Sequence, residues 1–153
     1  MSLFSSIFKR KAPTRRRVVS APTLAMLLNR AVEGLTGPRH ALRLSDKQIA
    51  SVTRREVETV AAKAWKPWVQ EIADCDDQAL ALVVACREAA YAEGGSIPWG
   101  VGFIFTAGEH PHAYTWALTE DKDGDLAIEF YDQTAGRWVR RDELDTPITL
   151  TLG

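Results

Sequence analysis

Ala73-Asp74-Cys75-Asp76-Asp77-Gln78 opens a run that continues as Ala79-Leu80-Ala81-Leu82-Val83-Val84-Ala85-Cys86 and closes at Gly94-Gly95. Asp74 is a good N-cap, Asp77 suits the first turn of a helix, and glycine is the usual stop. The stretch therefore predicts a long helix with Cys75 in its first turn. Apolar residues fall on nearly every side, as in a helix buried at a domain centre. Amide groups and the positive dipole end at a helix start favour thiolate, so Cys75 is a candidate nucleophile. The plain alternative is a small buried hydrophobe.

Working outward, 153 residues suffice for one domain with a sizeable core. Hydrophobic content of 46% and charged content of 25% are those of an ordinary globular protein. Six of the 19 basic residues lie in residues 1–17, which hold no acid. The rest carries 13 basic against 20 acidic side chains, a balance of −7. Such an acidic body argues against nucleic acid as its partner. Cys75 and Cys86 share one predicted helix, roughly 16 Å apart along its axis, too far for a disulfide. No uncharged apolar run reaches about 18 residues, so no membrane span is expected. Met1 to Phe8 places its basic cluster after the apolar residues, unlike a secretory signal, which implies a cytoplasmic site of synthesis.

Residues 1–22 read as a basic, serine-rich, disordered tail, and 23–153 as a single domain. Within the tail, Leu3, Phe4, Ile7 and Phe8 share a helical face. With the basic run they suit an anionic partner, while a solvated terminus is the plain alternative. Thr23 to Leu35 has helical spacing, and Ser45-Asp46-Lys47-Gln48 has capping-box form before a second helix running to about Trp65. Trp65 and Trp68 flank the break at Pro67 and are expected against the central helix. After Gly95 the pattern turns to strands at Trp99–Phe105, His112–Leu118, Asp125–Tyr131, Arg137–Val139 and Ile148–Leu152. Helices first and a mainly antiparallel sheet afterwards read as α+β, with N-terminal helices and a buried central helix packed on the sheet.

Asp123-Gly124 marks a hairpin between two of these strands. Alternation puts His112, Tyr114, Trp116 and Leu118 on one face, and Leu126, Ile128, Phe130 and Asp132 on the matching face of the next strand. A three-residue loop pairs 118 with 128, and a slightly longer one pairs 118 with 126. Either register makes His112 and Asp132 neighbours at the rim, while Glu129 falls on the other face. Histidine beside a carboxylate, with a cysteine helix on the sheet, is the composition of a Cys-His-Asp site. There the imidazole takes the thiol proton and the acid orients it.

Asp74-Cys75-Asp76-Asp77, His112-Ala113-Tyr114 and Asp132-Gln133-Thr134 together resemble the papain-like and transglutaminase-like cysteine-enzyme superfamily. Small bacterial and phage transglutaminase-like proteinases and agglutinin peptidase domains are the members most alike. The resemblance covers about Trp65 to Val139, and the acid motif lacks the family's proline. It implies a papain-like/transglutaminase-like fold and a cysteine hydrolase or acyl transferase acting on peptide or amide bonds of a peptide or protein substrate. In that role Cys75 attacks, His112 shuttles the proton, Asp132 orients it and Gln70 helps bind the oxyanion. The resemblance also implies a phage-encoded or bacterial origin. No cofactor is expected. Agglutinin-type relatives use calcium, and Asp74, Asp76 and Asp77 are either such a site or simple capping. The alternative function is a non-catalytic binding or structural protein of the same fold, such as a phage particle component.

Overall fold

The computed structural model describes residues 16–35, 46–67, 69, 74–121 and 123–152. In chain order these form β1 (Val18–Ser20), α1 (Ala21–Ala31), β2 (Gln48–Ala50), α2 (Arg54–Ala64) and α3 (Cys75–Ala92). Then come β3 (Val101–Thr106), β4 (His112–Glu120), β5 (Leu126–Asp132), β6 (Arg137–Val139), a 3-10 turn (Arg141–Glu143) and β7 (Ile148–Leu152). The amphipathic helix read at Leu3–Phe8 lies outside the described residues, as does Gln70.

Local chemistry sets the helix starts. Ser20 caps α1 by accepting from the Thr23 amide at 3.3 Å, and Pro22 occupies the first turn. Thr53 and Glu56 form a reciprocal capping box on α2. The second helix thus begins well after Ser45, because Gln48–Ala50 pairs with Val18–Ser20 as an antiparallel ribbon instead. Residues 16–22, read as part of the tail, supply β1 and the start of α1.

The larger sheet has the order β6-β5-β4-β3-β7, antiparallel throughout. Leu118 pairs with Ile128 and Trp116 with Phe130, the register of the three-residue loop, and Gly124 takes φ +84° there. The two faces of β4 serve different layers. Trp116 and Leu118 join Leu24 and Leu28 of α1, whereas Ala113 and Ala117 lie in the cluster containing Leu82, Val83 and Cys86 of α3. Small residues let α3 approach the strand, and the bulky set faces away from it. Ala50 bridges to Trp99, joining the two sheets.

The expected α+β class, papain-like/transglutaminase-like with a buried central helix, is corrected on these grounds. Among the described residues the protein is sheet-rich, with two antiparallel sheets and three helices, and its main sheet is covered on both faces. α3 is not enclosed: Leu80 is 50% exposed, Val84 48% and Tyr91 82%. Trp65 is 57% exposed rather than packed.

Candidate functional site

The β3–β4 turn, the end of β5 and the segment before β7 meet around an open cleft of about 470 Å³. His110, Pro111, His112, Tyr114, Asp132, Glu143, Leu144 and Asp145 line it. Thr106 pins the strand start: its hydroxyl receives the His112 amide at 3.1 Å and donates to the His112 carbonyl at 3.1 Å. The His112 ring packs edge-on against Tyr114, centroids 4.5 Å apart. Its Nε2 lies 3.3 Å from Asp132 Oδ1, an ion-pair distance without the alignment of a hydrogen bond.

Asp132 is tied down by the turn that follows it. Its Oδ1 accepts from the Thr134 amide at 3.0 Å, the Thr134 hydroxyl at 2.6 Å and the Ala135 amide at 3.0 Å. Burial alone would raise this carboxyl. The His112 contact, Thr134 and the Ala135 amide outweigh burial and hold it well below the usual range. Burial pushes the Tyr114 phenol up, with Asp132 and Asp145 adding to the effect, so it stays a donor. Asp145 Oδ2 accepts the His110 amide at 2.8 Å, fixing the β3–β4 turn. Gly108 makes room for that carboxylate, since a Cβ there would lie 2.4 Å from Asp145 Cγ. Glu143 accepts from Arg137 at 2.9 Å and from the Arg140 amide at 2.7 Å.

Cys75 begins α3, next to the strand residue that follows His112. The three predicted residues described here therefore gather at one end of β4, with His112 and Asp132 in direct contact. Cys75 reaches the sheet through Ala113 and Gln133. The Ala113 amide points at its sulfur, and Gln133 Nε2 donates to the Cys75 carbonyl at 2.8 Å and the Ala113 carbonyl at 2.9 Å. Burial pushes the Cys75 thiol above its ordinary value. The Ala113 amide opposes this, and Asp74 and Asp76 reinforce it. Cys86, deeper in the helix, is pushed up to about 12 by burial. Asp74, Asp76 and Asp77 offer one oxygen each within 4.8 Å of one another, and the Asp76 carboxyl is raised chiefly by its hydrogen bond with Asp74.

Sequence reasoning missed Glu143 and Asp145 as lining residues. Both come from a segment with no local motif, brought to β4 only by the chain's return into β7.

Compared by sequence, the chain matches no family model and no curated protein. Compared by structure, it resembles PSL1a in a complex with E64, with TM-score 0.76 and 19% identity, covering 89% of this chain and 50% of that one. It also resembles Polyporus squamosus lectin bound to the human-type influenza-binding epitope Neu5Acα2-6Galβ1-4GlcNAc. There the TM-score is 0.67 and identity 19%, over 84% of this chain and 48% of that one. The chain thus spans about half the length of each, and the likeness is one of fold.

These neighbours correct the papain-like/transglutaminase-like assignment: the two solved structures named above, which share this fold, are of PSL1a and of Polyporus squamosus lectin. The reading as a cysteine hydrolase or acyl transferase, a thiol protease with a catalytic triad, is corrected with it. The non-catalytic alternative fits these findings better. Among the described residues, no helix is long and apolar enough to cross a membrane.

Proposed function

We propose that this chain is a non-catalytic binding protein whose ligand is a glycan held in the cleft beside His112. One observation carries the reading. The cleft is lined by carboxylates, imidazoles and a phenol, and Cys75 is not among its lining residues. Carboxylates accept from sugar hydroxyls, imidazole and phenol groups donate or accept, and Pro111 with Leu144 offers apolar surface to the C–H faces of a ring. The volume lies within the range of small-ligand sites. The raised Cys75 thiol supports the same reading, because thiolate is the nucleophile. The lectin neighbour in complex with a sialylated trisaccharide supports the ligand class.

In this reading His112 and Asp132 are ligand-binding groups, and Cys75 packs α3 onto β4. The test is calorimetry with Neu5Acα2-6Galβ1-4GlcNAc and with Galβ1-4GlcNAc, on the wild type and on Asp145→Asn. Saturable binding of either sugar, weakened about tenfold by the substitution, is expected, as for loss of a charged hydrogen-bonding partner. No binding of either sugar would overturn the proposal. So would an intact-mass adduct at Cys75 after incubation with E64.

A further inference from the structure

The charges that line the cleft are carboxylates fixed in place. Asp132, Glu143 and Asp145 line it, and among the described residues that do so none is lysine or arginine. Asp145 is held by neutral donors, the Thr146 amide on Oδ1 at 3.1 Å and the His110 amide on Oδ2 at 2.8 Å. Asp132 is held by the Thr134 and Ala135 amides and the Thr134 hydroxyl, beside His112. Such donors orient a carboxylate and leave its charge intact. A carboxylate has roughly four acceptor positions, so Asp145 keeps capacity for a ligand. Glu143 meets a cation, Arg137 at 2.9 Å, but that pair is open to water, with side chains 37% and 55% exposed.

The balance of charge has one sign. With neutral imidazoles, three carboxylates face one guanidinium. Protonating both His110 and His112 would bring the group only to neutrality. Glu109, exposed beside His110, adds a further carboxylate at the β3–β4 turn. The Tyr114 phenol lies in the same field: burial raises it most, Asp132 and Asp145 raise it further, and Arg137 opposes them. Concave walls of low dielectric focus such a field on whatever enters.

From the fixed carboxylates and the one-signed lining, we infer that the cleft selects a glycan bearing a protonated amine, such as a glucosamine unit, over acetamido and carboxylated sugars. The inference rests on the glycan reading above and names the ligand class within it. An ammonium group carries three donors, and its hydrogen bonds to carboxylates are roughly twice as strong as neutral ones. Asp145 and Glu143 are the acceptors that take it. A neutral sugar forgoes the charge and still binds through its hydroxyls. A sialylated one brings its carboxylate against Asp132, Glu143 and Asp145 and is the least favoured.

The experiment is calorimetry on the full chain at about pH 7 and about 0.05 M salt. The probes are the β1-4 glucosamine trisaccharide, its fully N-acetylated form, Galβ1-4GlcNAc and Neu5Acα2-6Galβ1-4GlcNAc. The amine trisaccharide should bind about tenfold tighter than its acetylated form, the scale of one hydrogen bond to a charged group. That gap should narrow at about 0.5 M salt. Galβ1-4GlcNAc should bind tighter than its sialylated form. In Glu143→Gln, and again in Asp145→Asn, the ratio of amine to acetylated affinity should fall severalfold. Equal or tighter binding of the acetylated form would overturn the inference and leave the glycan reading standing. So would a sialylated sugar that binds as tightly as its uncapped form. A ratio unmoved in both variants would place the attraction elsewhere on the surface and overturn it too. If none of the four sugars binds, the glycan reading fails and this inference fails with it.

Discussion

Asp132 shows how one side chain couples the cleft to stability. Its ionised form receives two backbone amides and the Thr134 hydroxyl and faces His112. A carboxyl held below its unfolded value of about 3.8 stabilises the fold while it is charged. That contribution is complete above about pH 5 and is lost as pH falls through the unfolded value toward the depressed folded one. Asp132→Asn keeps the shape and removes the charge. It should cost about 1.5–3 kcal/mol at pH 7, the scale of hydrogen bonds to a charged group. The gap between wild-type and variant melting temperatures should close as pH drops below about 4. A gap independent of pH would mean that shape rather than charge holds the turn. His112 and Asp132 were legible as neighbours because strand alternation is local and Gly124 fixes the loop. Asp145 was not, because its tie to the His110 amide joins residues 35 positions apart.

At the scale of elements, Gln133 is the latch between α3, β4 and β5. It is 5% exposed, donates to the carbonyls of Cys75 and Ala113, and accepts from the Thr115 hydroxyl at 3.1 Å. Gln133→Leu keeps the volume and leaves those partners unsatisfied. The expected cost is about 2–4 kcal/mol, given roughly 1–3 kcal/mol for each buried polar group stranded. Thermal melting should show it as a drop of roughly 10 °C, together with faster amide exchange in the first turn of α3. Unchanged exchange there would show that other contacts hold the helix start. Elements misread from sequence have a common cause. Ser45-Asp46-Lys47-Gln48 imitates a capping box, but β1 lies about 30 residues upstream and offers Gln48–Ala50 a pairing partner that no local pattern reveals. The working box, Thr53 with Glu56, was there to be read. Continuous apolarity likewise suggested that α3 is enclosed, although composition alone does not say how many neighbours a helix has.

The whole molecule depends on residues that composition assigned to a tail. Arg16, with only 11% of its side chain exposed, contacts Glu56 and Glu93 at 2.8 Å each and lies over the Trp99 ring at 4.5 Å. It ties α2 and the end of α3 to the segment that leads into β3. Just beyond it, the Ser51 amide donates to the Arg17 carbonyl at 2.8 Å. Val19 is buried at 9% exposure, and Ser20 caps α1. Residues 1–15 include none of these contacts. Two truncations therefore separate the parts. A chain beginning at Ala21 loses a partly buried ion network worth about 2–3 kcal/mol, a helix cap worth about 1 kcal/mol and a buried valine worth about 1–2 kcal/mol. At roughly 2–4 °C per kcal/mol, its melting point should fall by roughly 10–20 °C. A chain beginning at Arg16 keeps all of them and should melt within a few degrees of the full-length protein. If the two truncations melted alike, the Arg16 network and β1 would contribute nothing, and the fold would begin at α1.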